Sequence, residues 1–317
     1  MPRSPTNTHD EAHILQKALQ FIFNPAEFSI TEPSFADDGV VYKLPSHPIY
    51  QTSLGKKICI IDVDTRSFDL ENQIMYKGPF SWESFQFYSA GIMNHYTYAM
   101  THGYDYKFIH AANFTDRSPT WIKPSAIANL LEEYKFVIFL DADAMFNHMQ
   151  IPVEWLLNYW QITSDISLAM ALDPVVTDGT NNDTHGRLYT NTGFIIAQQN
   201  ARTQEILRAW HECPDDVRYP GCSEWKNPRF HEQSAFGTYV RYDYEANIKE
   251  LPCAEANGEP DFEQCPGTFV THFWWRTYSE KDYFQQTVMQ ALTGRIQKMY
   301  VDHQKDIVRK QSKNEIL

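Results

Sequence analysis

The segment Phe136-Val137-Ile138-Phe139-Leu140, followed by Asp141-Ala142-Asp143, decides the fold class of this chain. Five consecutive apolar residues, rich in β-branched and aromatic types, predict a strand that is buried on both faces of a sheet. The run ends at two aspartates spaced i and i+2. A turn at the end of the strand would let both carboxylates reach one point.

Two neighbouring carboxylates at the end of a buried strand are costly to desolvate unless a cation lies between them. A divalent metal ion bound to a diphosphate would supply that cation, because carboxylate and phosphate oxygens together complete its coordination shell. The alternative is a pair of solvated aspartates that opens a loop. The Asp-x-Asp pattern alone does not decide between the two.

The segments before this strand alternate between strand and helix patterns. Residues 57–62 and 106–109 predict two further buried strands, and residues 82–100 and 120–134 predict the helices between the strands. This alternation is typical of a parallel sheet with right-handed crossovers. Ligands of such sheets bind beyond the carboxyl ends of the strands, which is where the two aspartates fall.

The rest of the chain has a mixed order of elements. Strands are predicted at residues 167–172, 193–197 and 268–273, helices at 153–160, 201–211, 231–240 and 280–299, and a polar loop at 173–189. Residues 1–55 show only one short helical pattern, at 14–23, and predict an arm that lies over the domain, with partial disorder of this segment as the alternative. We therefore predict an N-terminal arm (1–55), one α/β domain (56–300) with a mixed, mostly parallel central sheet flanked by helices, and a C-terminal tail (301–317).

The charge of the chain argues against two classes of partner. Of 317 residues, 43% are hydrophobic and 15% aromatic, which is ample for a sizeable core. The net charge of -13 argues against nucleic acid and anionic membranes, since both need a basic face. No segment is apolar enough for a spanning helix, and the N-terminus lacks a signal-peptide core. We expect a cytoplasmic protein, or one of the Golgi lumen or secretory pathway if the chain is the catalytic part of an anchored protein.

Four of the five cysteines lie in polar segments that contain proline or glycine: Cys213, Cys222, Cys253 and Cys265. They could form two disulfides, which would imply an oxidising compartment. Their spacing fits no zinc-site pattern. The fifth, Cys59, lies in an apolar run.

Four further segments place polar residues at the ends of apolar runs. Lys123 lies in the first turn of a predicted helix, where a phosphate would balance its charge. Asn191 precedes a predicted strand, and the nearby Gly193 permits close approach of a ligand. Residues 231–234 (His-Glu-Gln-Ser) open a predicted helix, and His272 ends a predicted strand among aromatic residues. The ordinary alternatives are a solvated lysine, an Asx turn, a helix cap and a buried core histidine.

In their order along the chain these segments resemble one known family. The family comprises fungal Golgi α-galactosyltransferases and subunits of mannosyltransferase complexes, and it also contains the plant xyloglucan xylosyltransferases. The matching segments are Tyr98-Ala99-Met100-Thr101-His102-Gly103-Tyr104, Trp121-Ile122-Lys123, Leu140-Asp141-Ala142-Asp143-Ala144, Asn191-Thr192-Gly193-Phe194, Glu232-Gln233-Ser234-Ala235 and Val270-Thr271-His272-Phe273. The ordered set is far more specific than any one of its members.

The resemblance implies a single GT-A (Rossmann-like) domain and a retaining, metal-dependent glycosyltransferase. Its donor would be a UDP-sugar, with galactose favoured, and its acceptor would be a hydroxyl of a glycan or a small molecule. The resemblance assigns the metal to Asp141, Asp143 and His272. Mn²⁺ suits this mixed set of oxygen and imidazole ligands better than the alternative, Mg²⁺.

The resemblance also implies a set of residues that bind the nucleotide-sugar: Asp62, Lys123, Asp141 and Arg276. The family usually places a lysine that touches the diphosphate shortly after the late histidine. Arg276 stands nearest to that position here and would supply the cation instead.

Gln233 and Asn191 would orient the transferred sugar. Glu232, where aspartate is usual in the family, would either help to position the reactants for attack by the acceptor on the leaving-group face or form a covalent glycosyl intermediate. The family resemblance favours the positioning role. Aromatic side chains that could stack on acceptor rings follow the late histidine: Trp274, Trp275 and Tyr278.

Two other functions stay open at this point. Asp62-Val63-Asp64-Thr65 follows a predicted strand near the chain start, as the aspartate pair of haloacid-dehalogenase-like phosphohydrolases does. However, threonine follows Asp64 directly, whereas that motif has one residue between. A catalytically silent sugar-binding or scaffold protein could keep the same fold, although the aspartate pair, Gln233 and His272 argue against it.

Overall fold

The computed structural model describes residues 8–260 and 262–311. Its strands are β1 (Ser34–Asp37), β2 (Val40–Lys43), β3 (Ile58–Asp64), β4 (Asp105–His110), β5 (Phe136–Leu140), β6 (Ala144–Phe146), β7 (Leu168–Leu172), β8 (Thr190–Gln198), β9 (Ile248–Leu251) and β10 (Val270–His272). Its α-helices are α1 (Thr8–Phe23), α2 (Phe87–His102), α3 (Lys123–Leu130), α4 (Val153–Tyr159), α5 (Ala201–His211), α6 (His231–Ala235), α7 (Arg241–Asp243), α8 (Cys253–Ala256), α9 (Glu280–Asp302) and α10 (Gln304–Ile307).

The centre of the molecule is a six-stranded sheet in the order β4-β3-β5-β8-β7-β9. β3 is parallel to β4 and β5, and β7 is parallel to β9, whereas β8 runs antiparallel to both of its neighbours. Five of the six strands therefore point the same way. The predicted α/β class with a mixed, mostly parallel sheet flanked by helices is confirmed.

Both faces of this sheet are covered, as the apolar run of β5 predicted. Ile138 and Leu140 belong to the core on the face that carries α2 and α4. Val137 and Phe139 belong to the core on the opposite face, which carries α3 and α5. Because successive strand residues point to opposite faces, a strand covered on both sides must be apolar at every position.

Several predicted boundaries were wrong. The helix expected at residues 231–240 is α6 followed by a π-helical turn, Phe236–Val240. The helix expected at residues 82–100 begins at Phe87, since Gln86 before it is extended. The helix expected at 120–134 is a 3₁₀ turn, Pro119–Ile122, followed by α3. The strand expected at 193–197 begins at Thr190, so Asn191 lies within β8 rather than before it.

The segment before β3 lies against α4. Tyr50 exchanges two hydrogen bonds with the side chain of Asn158, and the indole of Trp155 donates to the carbonyl of Glu32. The division into an arm, a domain and a tail stays a prediction. Residues 1–7 and 312–317 of the predicted arm and tail lie outside the described residues.

The four loop cysteines form two disulfides, Cys213–Cys222 and Cys253–Cys265, and Cys59 is a buried free thiol. Each bond closes a short loop after a helix or strand of the second half of the chain. Among the described residues, no helix combines the length and apolar character that crossing a bilayer requires.

Candidate active site

The two aspartates at the end of β5 meet His272 through a short two-stranded sheet. The N–H of Asp141 donates to the carbonyl of Gly193 at 2.8 Å, which keeps the chain beside β8. The N–H of Ala144 then donates to the carbonyl of Asp141 at 2.9 Å, and β6 begins. β6 pairs antiparallel with β10, which sets His272 opposite Ala144. Its Nε2 lies 3.2 Å from Oδ1 of Asp143.

Asp141, Asp143 and His272 could hold a divalent metal ion. One ligand atom of each lies within 4.8 Å of the others, which is close enough for one ion at ligand distances of about 2.0–2.4 Å. Burial alone would raise the pKa of Asp143, but the neighbouring imidazole outweighs it and lowers that pKa. The pKa of His272 is raised by Asp143, against the effect of burial. A carboxylate and an imidazole held this close fit a shared cation.

Lys123 joins the same group through its contacts with Asp141 and Glu232. It is the first residue of α3 and only 5% exposed. Its Nζ lies 2.9 Å from Oδ2 of Asp141 and 3.1 Å from Oε1 of Glu232, and it donates to the carbonyl of Thr192 at 3.2 Å. Burial opposes its charge, but the two carboxylates outweigh burial and hold the pKa of Lys123 above its ordinary value. The lysine is therefore a buried cation in this structure, and the solvated alternative is wrong.

Asn191 and Gln233 lie in a buried polar cluster around Asp173, a residue that was not among the predicted site residues. Asp173, directly after β7, accepts hydrogen bonds from Nδ2 of Asn191 at 2.8 Å and from Nε2 of Gln233 at 2.7 Å. Asp173 follows an apolar strand as Asp141 does, and that pattern was a signal for it. Asn257 bridges Asp173 and His272 from a loop that carries no comparable pattern.

Asp62 does not join this group. It is 2% exposed, with Oδ1 lying 2.8 Å from Nδ1 of His95 and Oδ2 accepting from the hydroxyl of Tyr106 at 2.6 Å. Nε2 of His95 in turn lies 2.7 Å from the carbonyl of Ala144. Asp62 thus supports the start of β6. Its contact with a nucleotide stays a prediction.

Arg276 lies beyond β10, three residues after the aromatic Phe273. Its charge lowers the pKa of Glu259, although burial has the larger effect and raises that pKa overall. The structure therefore places Arg276 near Glu259, and its contact with a diphosphate stays a prediction.

Two cavities are relevant to the candidate site, and one of them is lined by its charged groups. One of about 210 Å³ is lined by Lys123 and Asp141 together with the end of β3, where Asp64 and Arg66 form an ion pair at 2.7 Å. The other, of about 600 Å³, is lined by residues of the loop between β7 and β8, by Arg229 and Phe230 before α6, and by Trp275 after β10.

A further cavity, of about 860 Å³, lies between α1 and α9. Its lining residues include none of the charged groups described above. Because buried, interacting ionisable groups mark functional sites more reliably than volume does, the candidate active site is the cavity lined by Lys123 and Asp141.

A sequence model of the galactosyl transferase GMA12/MNN10 family matches residues 75–244, which is more than half of the chain. This chain belongs to that family. The matched residues include Lys123, Asp141, Asp143, Asn191 and the segment with Gln233. His272 and Arg276 lie beyond the match.

One solved structure shows the same type of fold. This glycosyltransferase is similar to a glycosyltransferase involved in the glycosylation of the major capsid of PBCV-1, with 12% sequence identity and a TM-score of 0.51 over 72% of this chain and 98% of that chain. It also matches the glycosyltransferase GlyE of Streptococcus pneumoniae TIGR4, with 11% identity and a TM-score of 0.38 over 82% of this chain and 66% of that chain. No curated protein sequence matches this chain significantly.

Membership of this family makes the protein a glycosyltransferase, as the sequence predicted. A haloacid-dehalogenase-like phosphohydrolase is therefore not supported. The two aspartates that it would use are otherwise engaged, since Asp62 is bonded to His95 and Tyr106, and Asp64 to Arg66.

Proposed function

We propose that this glycosyltransferase is a retaining, metal-dependent enzyme that transfers a sugar from a UDP-sugar to a hydroxyl of a glycan or small molecule, with galactose as the favoured sugar. The observation that carries the proposal is the convergence of Asp141, Asp143 and His272 beside the buried Lys123. Hard oxygen ligands with one imidazole favour Mn²⁺, with Mg²⁺ as the alternative.

Bound there, the metal would neutralise the diphosphate and act as a Lewis acid on the leaving group. Lys123 would add a fixed positive charge on the same side, next to Asp141. The cavity of about 210 Å³ between these residues and the end of β3 is the proposed position of the nucleotide. Stabilising the charge of the departing group is the main demand of this chemistry.

The buried contacts of Glu232 support a positioning role over a covalent one. Its Oε1 accepts from the hydroxyl of Thr192 at 3.0 Å and pairs with Lys123. Its Oε2 is buried and has no hydrogen-bond partner within the described part of the chain. A nucleophilic oxygen must reach the anomeric carbon, so this burial favours attack by the acceptor from the leaving-group face, with Gln233 and Asn191 orienting the sugar.

The cavity of about 600 Å³ that Trp275 lines is the proposed acceptor site. Trp275 is 62% exposed and lines it opposite Arg229 and Phe230. Exposed aromatic faces with polar neighbours suit sugar rings, which offer both C–H surfaces and hydroxyls. A glycan acceptor therefore fits this cavity better than a purely apolar molecule.

Calorimetry tests the donor side. UDP and GDP are titrated into metal-free protein with and without Mn²⁺, beside the Asp143→Ala variant. Mn²⁺-dependent UDP binding that is lost in the variant would support the proposal, and a preference for GDP would redirect the donor to mannose. Absence of nucleotide binding under every condition would overturn it.

A turnover assay tests sugar and stereochemistry. Turnover of UDP-galactose, UDP-glucose and UDP-xylose is compared in the presence of the same mixture of glycan acceptors. The anomeric configuration of the product is read from its proton coupling constant by NMR. A product with inverted anomeric configuration would refute retention. Faster turnover of UDP-glucose or UDP-xylose than of UDP-galactose would show that the transferred sugar is glucose or xylose.

A further inference from the structure

Asp173 is surrounded by amide groups of three different segments. It is 5% exposed. Its Oδ1 accepts from Nδ2 of Asn191 at 2.8 Å and from Nδ2 of Asn257 at 3.3 Å, while Oδ2 accepts from Nε2 of Gln233 at 2.7 Å. β8, α6 and the loop after α8 thus converge on one carboxylate.

An ionised carboxylate only accepts hydrogen bonds, so it dictates which end of each amide faces it. The nitrogens of Asn191 and Gln233 must point toward Asp173, and their oxygens must point away. Those oxygens meet donors. Oδ1 of Asn191 accepts from the N–H of Gly193 at 2.7 Å, and Oε1 of Gln233 accepts from the N–H of Thr192 at 3.1 Å. Both amides are therefore fixed at both ends.

The third amide reaches the candidate metal ligand. Nδ2 of Asn257 donates to Asp173 and to the carbonyl of Leu172 at 3.1 Å, so Oδ1 of Asn257 faces Nδ1 of His272 at 2.9 Å. An oxygen acceptor there requires the proton of His272 to sit on Nδ1. The lone pair of a neutral imidazole is then on Nε2, the nitrogen 3.2 Å from Asp143.

Trp274 competes for the same nitrogen. Its indole N–H lies 2.9 Å from Nδ1 of His272, and a protonated Nδ1 cannot accept from it. With the proton on Nδ1, His272 can donate to Asn257 but cannot accept from Trp274; with the proton on Nε2, the reverse holds. Asp173 and the carbonyl of Leu172 together hold Asn257 with its oxygen toward the imidazole, which favours the tautomer with the proton on Nδ1.

We propose that Asp173 is a positioning residue of this enzyme: its carboxylate orients the amides of Asn191 and Gln233 and, through Asn257, selects the tautomer of His272 that leaves Nε2 free to bind a metal ion. The metal part of this inference rests on the proposed function. The amide and tautomer part does not.

A neutral residue could not do the same. An asparagine at position 173 would offer one acceptor oxygen and one donor nitrogen to three amide donors, so at least one of them would face an N–H. The carboxylate is expensive to bury, and burial raises the pKa of Asp173 to about 6 despite the amides of Asn191, Asn257 and Gln233. The cost of burying this charge is offset because the carboxylate accepts hydrogen bonds from three amide groups and fixes their orientation.

The first test is the isosteric variant Asp173→Asn. Mn²⁺ affinity is measured from the electron paramagnetic resonance signal of free Mn²⁺, with and without UDP. We expect Mn²⁺ binding to weaken roughly 10- to 100-fold, the usual effect of removing a group that orients a metal ligand. Wild-type affinity in this variant would overturn the proposal.

A double variant tests whether the effect runs through Asn257. In Asp173→Asn combined with Asn257→Asp, the new amide N–H at position 173 can donate to the new carboxylate at position 257, which still accepts from Nδ1 of His272. We expect Mn²⁺ affinity to recover in part, because the carboxylate at position 257 no longer offers the carbonyl of Leu172 a donor. A double variant that binds Mn²⁺ no better than Asp173→Asn would count against the relay.

Asp183→Asn is the matched control. Asp183 is a buried carboxylate in the same loop, but it pairs with Arg241 and Tyr242. Its variant should lose stability and keep the Mn²⁺ affinity of the wild type. An equal loss of Mn²⁺ affinity in Asp183→Asn would show that loop stability, not amide orientation, controls the site.

A metal-free readout separates this inference from the proposed function. Protein labelled with ¹⁵N-histidine reports the tautomer of neutral His272 through its two ring nitrogen shifts. We expect the Nδ1–H form in the wild type and a shift toward the Nε2–H form in Asp173→Asn. If the wild type binds neither Mn²⁺ nor UDP, the proposed function fails while this measurement still decides the role of Asp173. An unchanged tautomer in the variant would refute it.

Discussion

The ammonium of Lys123 lies 2.9 Å from Oδ2 of Asp141, and it also lies 3.1 Å from Oε1 of Glu232. One buried cation therefore serves two carboxylates, while Asp143 is paired with His272. Three carboxylates face one lysine and one imidazole in this group. It has no surplus positive charge for a diphosphate, which is the electrostatic reason to expect a metal ion between the site and its substrate.

Replacing Lys123 should show how strongly the two carboxylates depend on it. Lys123→Met leaves the buried Glu232 and the partly buried Asp141 without their shared cation, and breaking a buried pair in this way costs about 3–5 kcal/mol of unfolding free energy. We expect Lys123→Met combined with Glu232→Gln to recover part of that loss, because the double variant removes one of the orphaned charges. Urea denaturation of the wild type, Lys123→Met, Glu232→Gln and the double variant measures the coupling free energy between the two residues.

The control for this cycle is Lys56→Met. Lys56 is exposed and lies 3.6 Å from Asp105, so its loss should change the unfolding free energy by less than about 1 kcal/mol. Additive effects of the Lys123 and Glu232 changes would contradict the shared-cation arrangement.

Gly193 makes room for the imidazole of His272. A Cβ at position 193 would lie 2.2 Å from Cε1 and 2.7 Å from Nδ1 of His272, and 2.9 Å from Oδ1 of Asn191. Gly193→Ala should therefore displace the histidine and weaken Mn²⁺ binding by at least roughly 10-fold. Titration calorimetry with Mn²⁺ measures this directly.

Gly294→Ala is the matched change in α9, where a Cβ meets nothing within 4 Å. Because alanine is the better helix former, we expect the unfolding free energy to rise by about 0.5–1 kcal/mol with Mn²⁺ affinity unchanged. Wild-type Mn²⁺ affinity in Gly193→Ala would mean that His272 is not a ligand in this position.

The sequence predicted the parts of the site that are encoded locally. β5 is a continuous apolar run because it is covered on both faces, and the aspartates that follow it mark the carboxyl end of the sheet. Lys123 and Gln233 were found in the same way, at the starts of α3 and α6. The identity of the chain as a glycosyltransferase followed from the order of these segments.

The remaining parts depend on pairing between distant segments. β6 and β10 have three residues each and show no periodicity, yet their pairing brings His272 to Asp143. The inward turn of Asp62 toward His95 follows from the packing of α2 on β3, which no local pattern reports. Asn191 was misplaced because its strand starts with three polar residues, Thr190, Asn191 and Thr192, which are buried although no apolar pattern marks them.

The Cys253–Cys265 disulfide should support the proposed metal site through Asn257. It closes a segment in which the N–H of Glu259 donates to the carbonyl of Cys265 at 3.0 Å, directly beside Asn257. Replacing both cysteines by serine should lower the unfolding free energy by about 2–4 kcal/mol and also weaken Mn²⁺ binding, since Asn257 loses part of its constraint. Denaturation and Mn²⁺ titration are measured on the same samples.

The other disulfide provides the comparison. Cys213–Cys222 closes a loop of similar length after α5, and none of the amides around Asp173 lies in that loop. Its double serine variant should lose a similar amount of stability with Mn²⁺ affinity unchanged. If both disulfide variants weaken Mn²⁺ binding equally, the effect is a general loss of stability and Asn257 is not its route.

Glu280 should make stability depend on pH. This residue at the start of α9 is fully buried, and neither carboxylate oxygen has a hydrogen-bond partner among the described residues. Burial, with a smaller contribution from the charge of Asp143, raises its pKa to about 9. The unfolded chain releases this proton near pH 4.3, so the folded protein holds one more proton between these values. Stability is therefore lost as pH rises through this window, by up to about 1.4 kcal/mol per pH unit.

Glu280→Gln keeps the size of the side chain and removes the titration. In metal-free buffer we expect the variant and the wild type to have similar melting temperatures near pH 5, and the advantage of the variant to grow steadily toward pH 9. The exposed Glu133→Gln serves as the control, and its curve should run parallel to that of the wild type. A constant difference between Glu280→Gln and the wild type across this range would mean that Glu280 is already ionised in the folded protein, with a cation beside it.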